Sequence, residues 1–237
     1  MQSALETALS QVAAAPVKLV TAGRTDTGVH AAGQVVSFFS PNPRPADAFR
    51  RGGNSLVAPG ISIHWAQAVP ADFNARFSAL YRRYQYLVLD SGMAPAIGRG
   101  LVTWSRVPLD ADAMDQAAQA LLGEQDFSAV RAAGCESRTP MRQVQAVSVR
   151  RQGAFLVFEI QANAFLQHMV RNIMGALLRV GRGERPSAWM AELLAGRDRS
   201  QAGVTAPPDG LYLAEVGYPA AFGFPAPPPP LLLRATD

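Results

Sequence analysis

The stretch "RQVQAVSVRRQGAFLVFEIQA", from Arg142 to Ala162, constrains the fold most. Two β-branched and aromatic runs flank Gln152 and Gly153, the pattern of an antiparallel hairpin. Directly after it, "FLQHMVRNIMGALLRVG" places Leu166, Met169, Val170, Ile173 and Leu177 on one helical face. Hairpin-linked strands mixed with helices, without strict alternation, predict an α+β fold with a mainly antiparallel sheet.

The rest of the chain fits this reading. Ser3 and Glu6 have the spacing of a capping box, so a helix is expected from Ser3, with Leu5, Leu9 and Val12 along it. "VKLVTA" from Val17 and "GQVVSFF" from Gly33 read as strands, and "PADAFRRGGNSLV" as a helix interrupted by Gly52 and Gly53. "ISIHWAQAV" alternates as a half-buried strand does. "YRRYQYLVLD" is a further strand, "LDADAMDQAAQALLG" a helix opened by Asp110 or Asp112, "SAWMAELLAG" a short helix and "GLYLAEVGY" a last strand. The order suggests two similar halves. Residues 1–76 form an N-terminal subdomain without its opening strand, residues 77–219 a C-terminal subdomain, and residues 220–237 a proline-rich tail.

Composition narrows the function. With 49% hydrophobic and 17% charged residues the chain is no disordered segment. Its single cysteine, Cys135, excludes an intramolecular disulfide framework, and His30, His64 and His168 offer no metal-ligand spacing. No run of about 18 apolar residues is present to span a bilayer, and "MQSALETALSQ" lacks the pattern of a signal peptide, so a cytoplasmic protein is expected. The net charge is +4, and Lys18 is the only lysine beside 21 arginines. Arginine's planar fork suits phosphates and bases, although biased coding would give the same composition.

"GRTDTG", Gly23 to Gly28, sits between two strand-like runs. It is not a phosphate loop, because Val29 and His30 follow where Lys and Ser/Thr are needed. Asp26-Thr27-Gly28 matches the aspartic protease tripeptide, whose two carboxylates share one proton; Arg24, two residues away, favours the ionised form instead. On local grounds Asp26 is a turn residue whose side chain bonds its own backbone.

"AGRTDTGVHAAGQVVSF", "FNARFSALYRRYQYLV", "ESRTPMRQV", "NAFLQHMVRNIMGALLRVG" and "PDGLYLAEVGYP", in this order and spacing, resemble the tRNA pseudouridine synthase A family from Ser3 to about Pro219. That family normally opens with a strand carrying Tyr-Asp-Gly and then a Gly-Trp-Gln segment. This sequence has neither, a difference of roughly 30 residues.

The resemblance implies two ferredoxin-like subdomains around a central catalytic cleft, and isomerisation of uridine to pseudouridine at positions 38, 39 and 40 of the tRNA anticodon stem-loop. It implies no cofactor and no metal, and a homodimer in which tRNA crosses both subunits. The family pattern makes Asp26 the nucleophile, Arg171 its ion-pair partner and Tyr84 the active-site tyrosine on the uracil. Arg24 would occupy or guard the space of the flipped base, and Leu211 would line the pocket. Phe73, Asn74, Ala75, Arg76 and Phe77 with Gly134, Cys135, Glu136, Ser137 and Arg138 match RNA-touching segments, and Arg44 is a further candidate. Two other readings stand beside this one: a tRNA-binding protein impaired by its shortened N-terminus, and a dimeric protease using Asp26-Thr27-Gly28.

Overall fold

A computed structural model describes residues 1–226; most of the proline-rich tail expected at 220–237 lies outside the described residues. The elements begin with α1 (Gln2–Ala13), β1 (Val20–Thr21), β2 (His30–Ala31), β3 (Val36–Ser37) and α2 (Ala46–Leu56). They continue with β4 (Tyr81–Asp90), β5 (Thr103–Ser105), α3 (Ala111–Ala118), β6 (Gly123–Asp126), β7 (Met141–Gln152) and β8 (Phe155–Ala162). Then follow α4 (Met169–Gly181), α5 (Trp189–Gly196) and β9 (Leu211–Gly217).

These elements group into two compact units that interleave along the chain, whereas the sequence division falls once, after residue 76. Met1–Arg24, Gln34–Ala79 and Tyr218–Ala226 form the smaller; Thr25–Gly33 and Leu80–Gly217 belong to the larger.

In the smaller unit, α1 and α2 pack around Leu9, Ala13, Val17, Leu19 and Phe49. The two glycines of α2 do not interrupt it. They let the helices approach: a Cβ on Gly52 would meet Val12 at 2.9 Å, and the face of Gly53 is filled by Ile63. The capping box at Ser3 does not form, because α1 begins one residue earlier and Glu6 is used elsewhere. Its Oε1 accepts from Gln2 Nε2 at 3.1 Å and from the Leu19 amide at 3.0 Å. Nor is 61–69 a strand: the Asn54 side chain takes both backbone groups of Ile63, at 2.7 and 2.8 Å, so no ladder is made there. Antiparallel β1 and β3 are two residues each.

The larger unit is built on a seven-stranded sheet in the order β2-β9-β4-β8-β7-β6, with β5 beside β4. Four pairings are antiparallel, and only β2·β9 and β4·β5 are parallel. The fold is therefore α+β with a mainly antiparallel sheet. The β7–β8 hairpin turns at Gly153, whose φ of 58° suits glycine. Along β4, Leu87 faces a cluster with Val102, Val157 and Tyr212, while Tyr84, Tyr86 and Val88 point to the other side. Asp110 caps α3 by accepting from the Ala113 amide at 2.9 Å, and Asp115 on that helix accepts the Val149 amide of β7 at 2.7 Å.

Helix α4 buries the expected apolar face, with Leu166 just before it, and more besides. It begins at Met169, and eleven of its residues are buried, including Asn172 and both glycines. A helix covered nearly all round is a core element, and its two polar residues near the start, Arg171 and Asn172, must therefore be satisfied inside the protein.

Candidate active site

The loop carrying Asp26 is anchored to the larger unit at several points. The Asp26 carbonyl accepts from the Val29 amide at 3.0 Å, closing a turn. Gly28 within it has a φ of 85°, and a Cβ there would meet Pro208 at 2.8 Å, so both backbone and space demand glycine. Strand β2 then pairs with β9, His30 opposite Tyr212 and Ala31 opposite Leu213, and the His30 ring stacks on Tyr212 at 4.8 Å. The amides of Ala32 and Gly33 both reach the Leu213 carbonyl at 3.0 Å. Asp26 is thus in a turn, and its side chain projects from it at 31% exposure.

Arg171 comes to this carboxylate from α4, 145 residues away. Its Nη1 donates to Asp26 Oδ2 at 2.8 Å with only 15% of its side chain exposed. The orientation of the guanidinium is fixed from behind, since Nε donates to the Ala206 carbonyl at 2.9 Å and the Ala206 amide reaches the Arg171 carbonyl at 3.1 Å.

The strap at 203–206 is in turn held by the buried amide of Asn172, 1% exposed. Asn172 Oδ1 accepts from Thr205 Oγ1 at 2.7 Å and Arg199 Nη2 at 2.9 Å, and Nδ2 donates to Val130 O at 2.8 Å. Gly175, one turn on, allows the Val204 carbonyl to lie against α4.

Tyr84 is 8% exposed on β4, between Ile160 of β8 and Leu213 of β9, and its ring meets Phe165 edge-on at 5.0 Å. Burial pushes its phenol up to about 12; the Arg82 charge opposes this and the Asp26 charge adds to it. The hydroxyl therefore stays protonated near neutral pH. Leu211 is buried at the start of β9, opposite Tyr86.

Asp26 and Arg171 are brought into direct contact, with Tyr84 near enough to feel the Asp26 charge. A third group at the carboxylate, His168, is not foreseen as a site residue from the sequence: its Nε2 is 3.3 Å from Oδ2. No local pattern signals it, because His168 precedes α4 in a left-handed conformation and does not share the helical spacing of Arg171.

The RNA candidates divide between the units. Gly134 to Arg138 form a loop of the larger one, with Gly134, Glu136 and Arg138 exposed. Arg131 Nη2 gathers the loop by donating to the Cys135 and Ser137 carbonyls at 2.7 Å each. In the smaller unit Arg24 and Arg44 are exposed. There Asn74 Oδ1 accepts the amides of Arg76 and Phe77, Ala75 is buried, and the Arg76 guanidinium lies 5.4 Å from the Phe77 ring centre. Phe73 packs into an aromatic cluster with Tyr218, Phe222 and Phe224.

Among the described residues no three His, Cys, Asp or Glu side chains could hold a metal ion, and no helix is long and apolar enough to cross a membrane. What the geometry offers is a carboxylate on a glycine-bound turn, ion-paired to a deeply held arginine beside a buried phenol.

Residues 117–219, which span α4 and β9, match a family model described as tRNA pseudouridine synthase. Over 228 residues the chain is 50% identical to tRNA pseudouridine synthase A of Cronobacter sakazakii, covering 96% of this chain and 84% of that protein. Identity to the Klebsiella pneumoniae tRNA pseudouridine synthase A is likewise 50%, with the same coverage. With that of Yersinia pseudotuberculosis it is 49% over 237 residues, the whole of this chain and 90% of the relative. The chain belongs to the tRNA pseudouridine synthase A family.

Proposed function

We propose that this protein isomerises uridine to pseudouridine in tRNA, at positions 38, 39 and 40 of the anticodon stem-loop, with Asp26 as the nucleophile. The observation that carries this reading is the Arg171–Asp26 ion pair at 2.8 Å in a chain of this family. An isomerase of this kind breaks the C1'–N1 bond, turns the uracil and forms a C1'–C5 bond. C5 gives up a proton and N1 takes one, so no redox group enters the balance. A carboxylate acting as a nucleophile needs orientation rather than a base. Arg171, locked through Ala206, supplies that orientation.

Tyr84 packs against the uracil from its buried place on β4, and Leu211 lines the same pocket. Base-modifying enzymes unstack their target, and Arg24 fills or guards the vacated space. The segments Phe73 to Phe77 and Gly134 to Arg138, with Arg44, contact the phosphate backbone, which gives salt-dependent affinity without base reading. We place the enzyme in the cytoplasm and take the homodimer as its working form.

The protease reading is disfavoured by the neighbours of Asp26. Two carboxylates sharing a proton require each other's company, whereas an arginine and a histidine meet this one. The impaired-binder reading is decided by activity.

The test is tritium release from tRNA labelled at uridine C5. Wild type is expected to release label and Asp26→Asn to fall to background, whereas unchanged release by Asp26→Asn rejects the nucleophile. Arg171→Ala should lose far more turnover than tRNA affinity; equal losses would make Arg171 a phosphate contact. Wild-type binding without release establishes the impaired binder.

A further inference from the structure

His168 precedes α4 with a φ of 59°, a left-handed conformation that only two other non-glycine residues among the described ones adopt. Its backbone is held there from both sides. The Asn172 amide bonds its carbonyl at 2.9 Å to start the helix, and the preceding residue is clasped by another loop. The Gln167 carbonyl accepts the Ala132 amide at 3.1 Å, and the Gln167 amide reaches Cys135 Sγ at 3.4 Å. An unusual backbone angle enforced this firmly at a reactive group is a pointer to function.

The angle brings Nε2 to 3.3 Å from Asp26 Oδ2, the oxygen that Arg171 already holds. Oδ1 accepts nothing from the described residues. Two cationic or donor groups on one oxygen draw its electron density away and leave the other as the better nucleophile. The His168 contact is at ion-pair distance rather than aligned as a hydrogen bond, a loose geometry common before substrate tightens an active site.

We infer that His168 is a positioning residue which, with Arg171, fixes Asp26 by Oδ2 so that Oδ1 is the atom presented to the nucleotide. The inference rests on Asp26 being the reacting carboxylate.

Single-turnover tritium release and tRNA binding by three variants test it. His168→Gly removes the side chain at an angle glycine accepts, His168→Gln keeps an N–H donor of similar reach, and Asp26→Asn controls for the underlying reading. Losing a donor to a charged oxygen predicts roughly a 10- to 100-fold slower release for His168→Gly, with the tRNA Kd within about twofold. His168→Gln is expected to recover most of that rate. Should the glycine variant not fold, His168→Asn, tolerant of the same angle but shorter than histidine, replaces it.

A removal variant as fast as wild type overturns the inference. So does an equal fall in rate and affinity, or a glutamine variant no faster than the removal variant. In each case a silent Asp26→Asn leaves the nucleophile reading standing. An active Asp26→Asn removes both.

Discussion

Gly175 offers the sharpest perturbation of the site at a distance. A Cβ added there would lie 2.0 Å from the Val204 carbonyl oxygen, and ordinary contact begins near 3.4 Å. Helix α4 is buried nearly all round, so the 203–206 strap must retreat, by about 1.4 Å. Ala206, two residues further, holds Arg171 Nε at 2.9 Å. A shift of that size takes the bond out of range and lets the guanidinium swing from Asp26.

Misplacement of a reacting group by about 1 Å can cost about 100-fold in rate, and Gly175→Ala is predicted to slow single turnover by roughly 10- to 100-fold. Two stability effects oppose each other: alanine gains about 1 kcal/mol of helix propensity, and overpacking costs about 1–3 kcal/mol. The net loss is up to about 2 kcal/mol, a fall in Tm of up to about 8 °C for a chain of this size. Thermal unfolding and tritium release measured on one preparation decide it. A variant with raised Tm and wild-type turnover would refute the reasoning, since the strap would then not be pressed against the helix.

The remaining predictions concern the tyrosines and the RNA surface. Burial pushes both Tyr84 and Tyr212 up to about 12, whereas unfolded phenols titrate near 10. Their contribution is intact below pH 10 and is lost from there to about 12, because only the unfolded chain releases protons in that window. The slope approaches about 1.4 kcal/mol per pH unit for each, and denaturant melts with no decline over this interval would contradict it. Arg138→Ala should reduce the slope of log Kd for tRNA against log salt by about 1 while leaving turnover at saturating tRNA unchanged. An unaltered slope would remove Arg138 from the phosphate contacts.

Long regular elements were legible because pattern and environment agree in them. Strand β4 and the β7–β8 hairpin follow the expected runs, and α3 opens at Asp110. Elements whose backbone partners are side chains or distant strands were not. Asn54 occupies the backbone of Ile63 and suppresses the strand expected at 61–69, and Glu6 bonds Leu19 instead of capping its own helix. Strand β2 is two residues long and exists through parallel pairing with β9, His30 opposite Tyr212, far along the chain, which no local pattern encodes. At the candidate site, Asp26, Arg171 and Tyr84 were singled out only by family resemblance, and the Asp26–Arg171 contact spans 145 residues that no local pattern links. The His168 contact with Asp26 was not legible, because it depends on a left-handed backbone angle next to a residue that Ala132 and Cys135 hold.

That clasp has a consequence for how order is distributed. Both backbone groups of Gln167 are committed to the 132–135 loop, so the loop and the start of α4 must fray or hold together. The Gln167 amide thereby becomes a built-in gauge. Its hydrogen-exchange protection reads the order of an outer loop one residue from the histidine that meets the carboxylate, and tRNA seated on that loop would slow exchange at a proton it never touches.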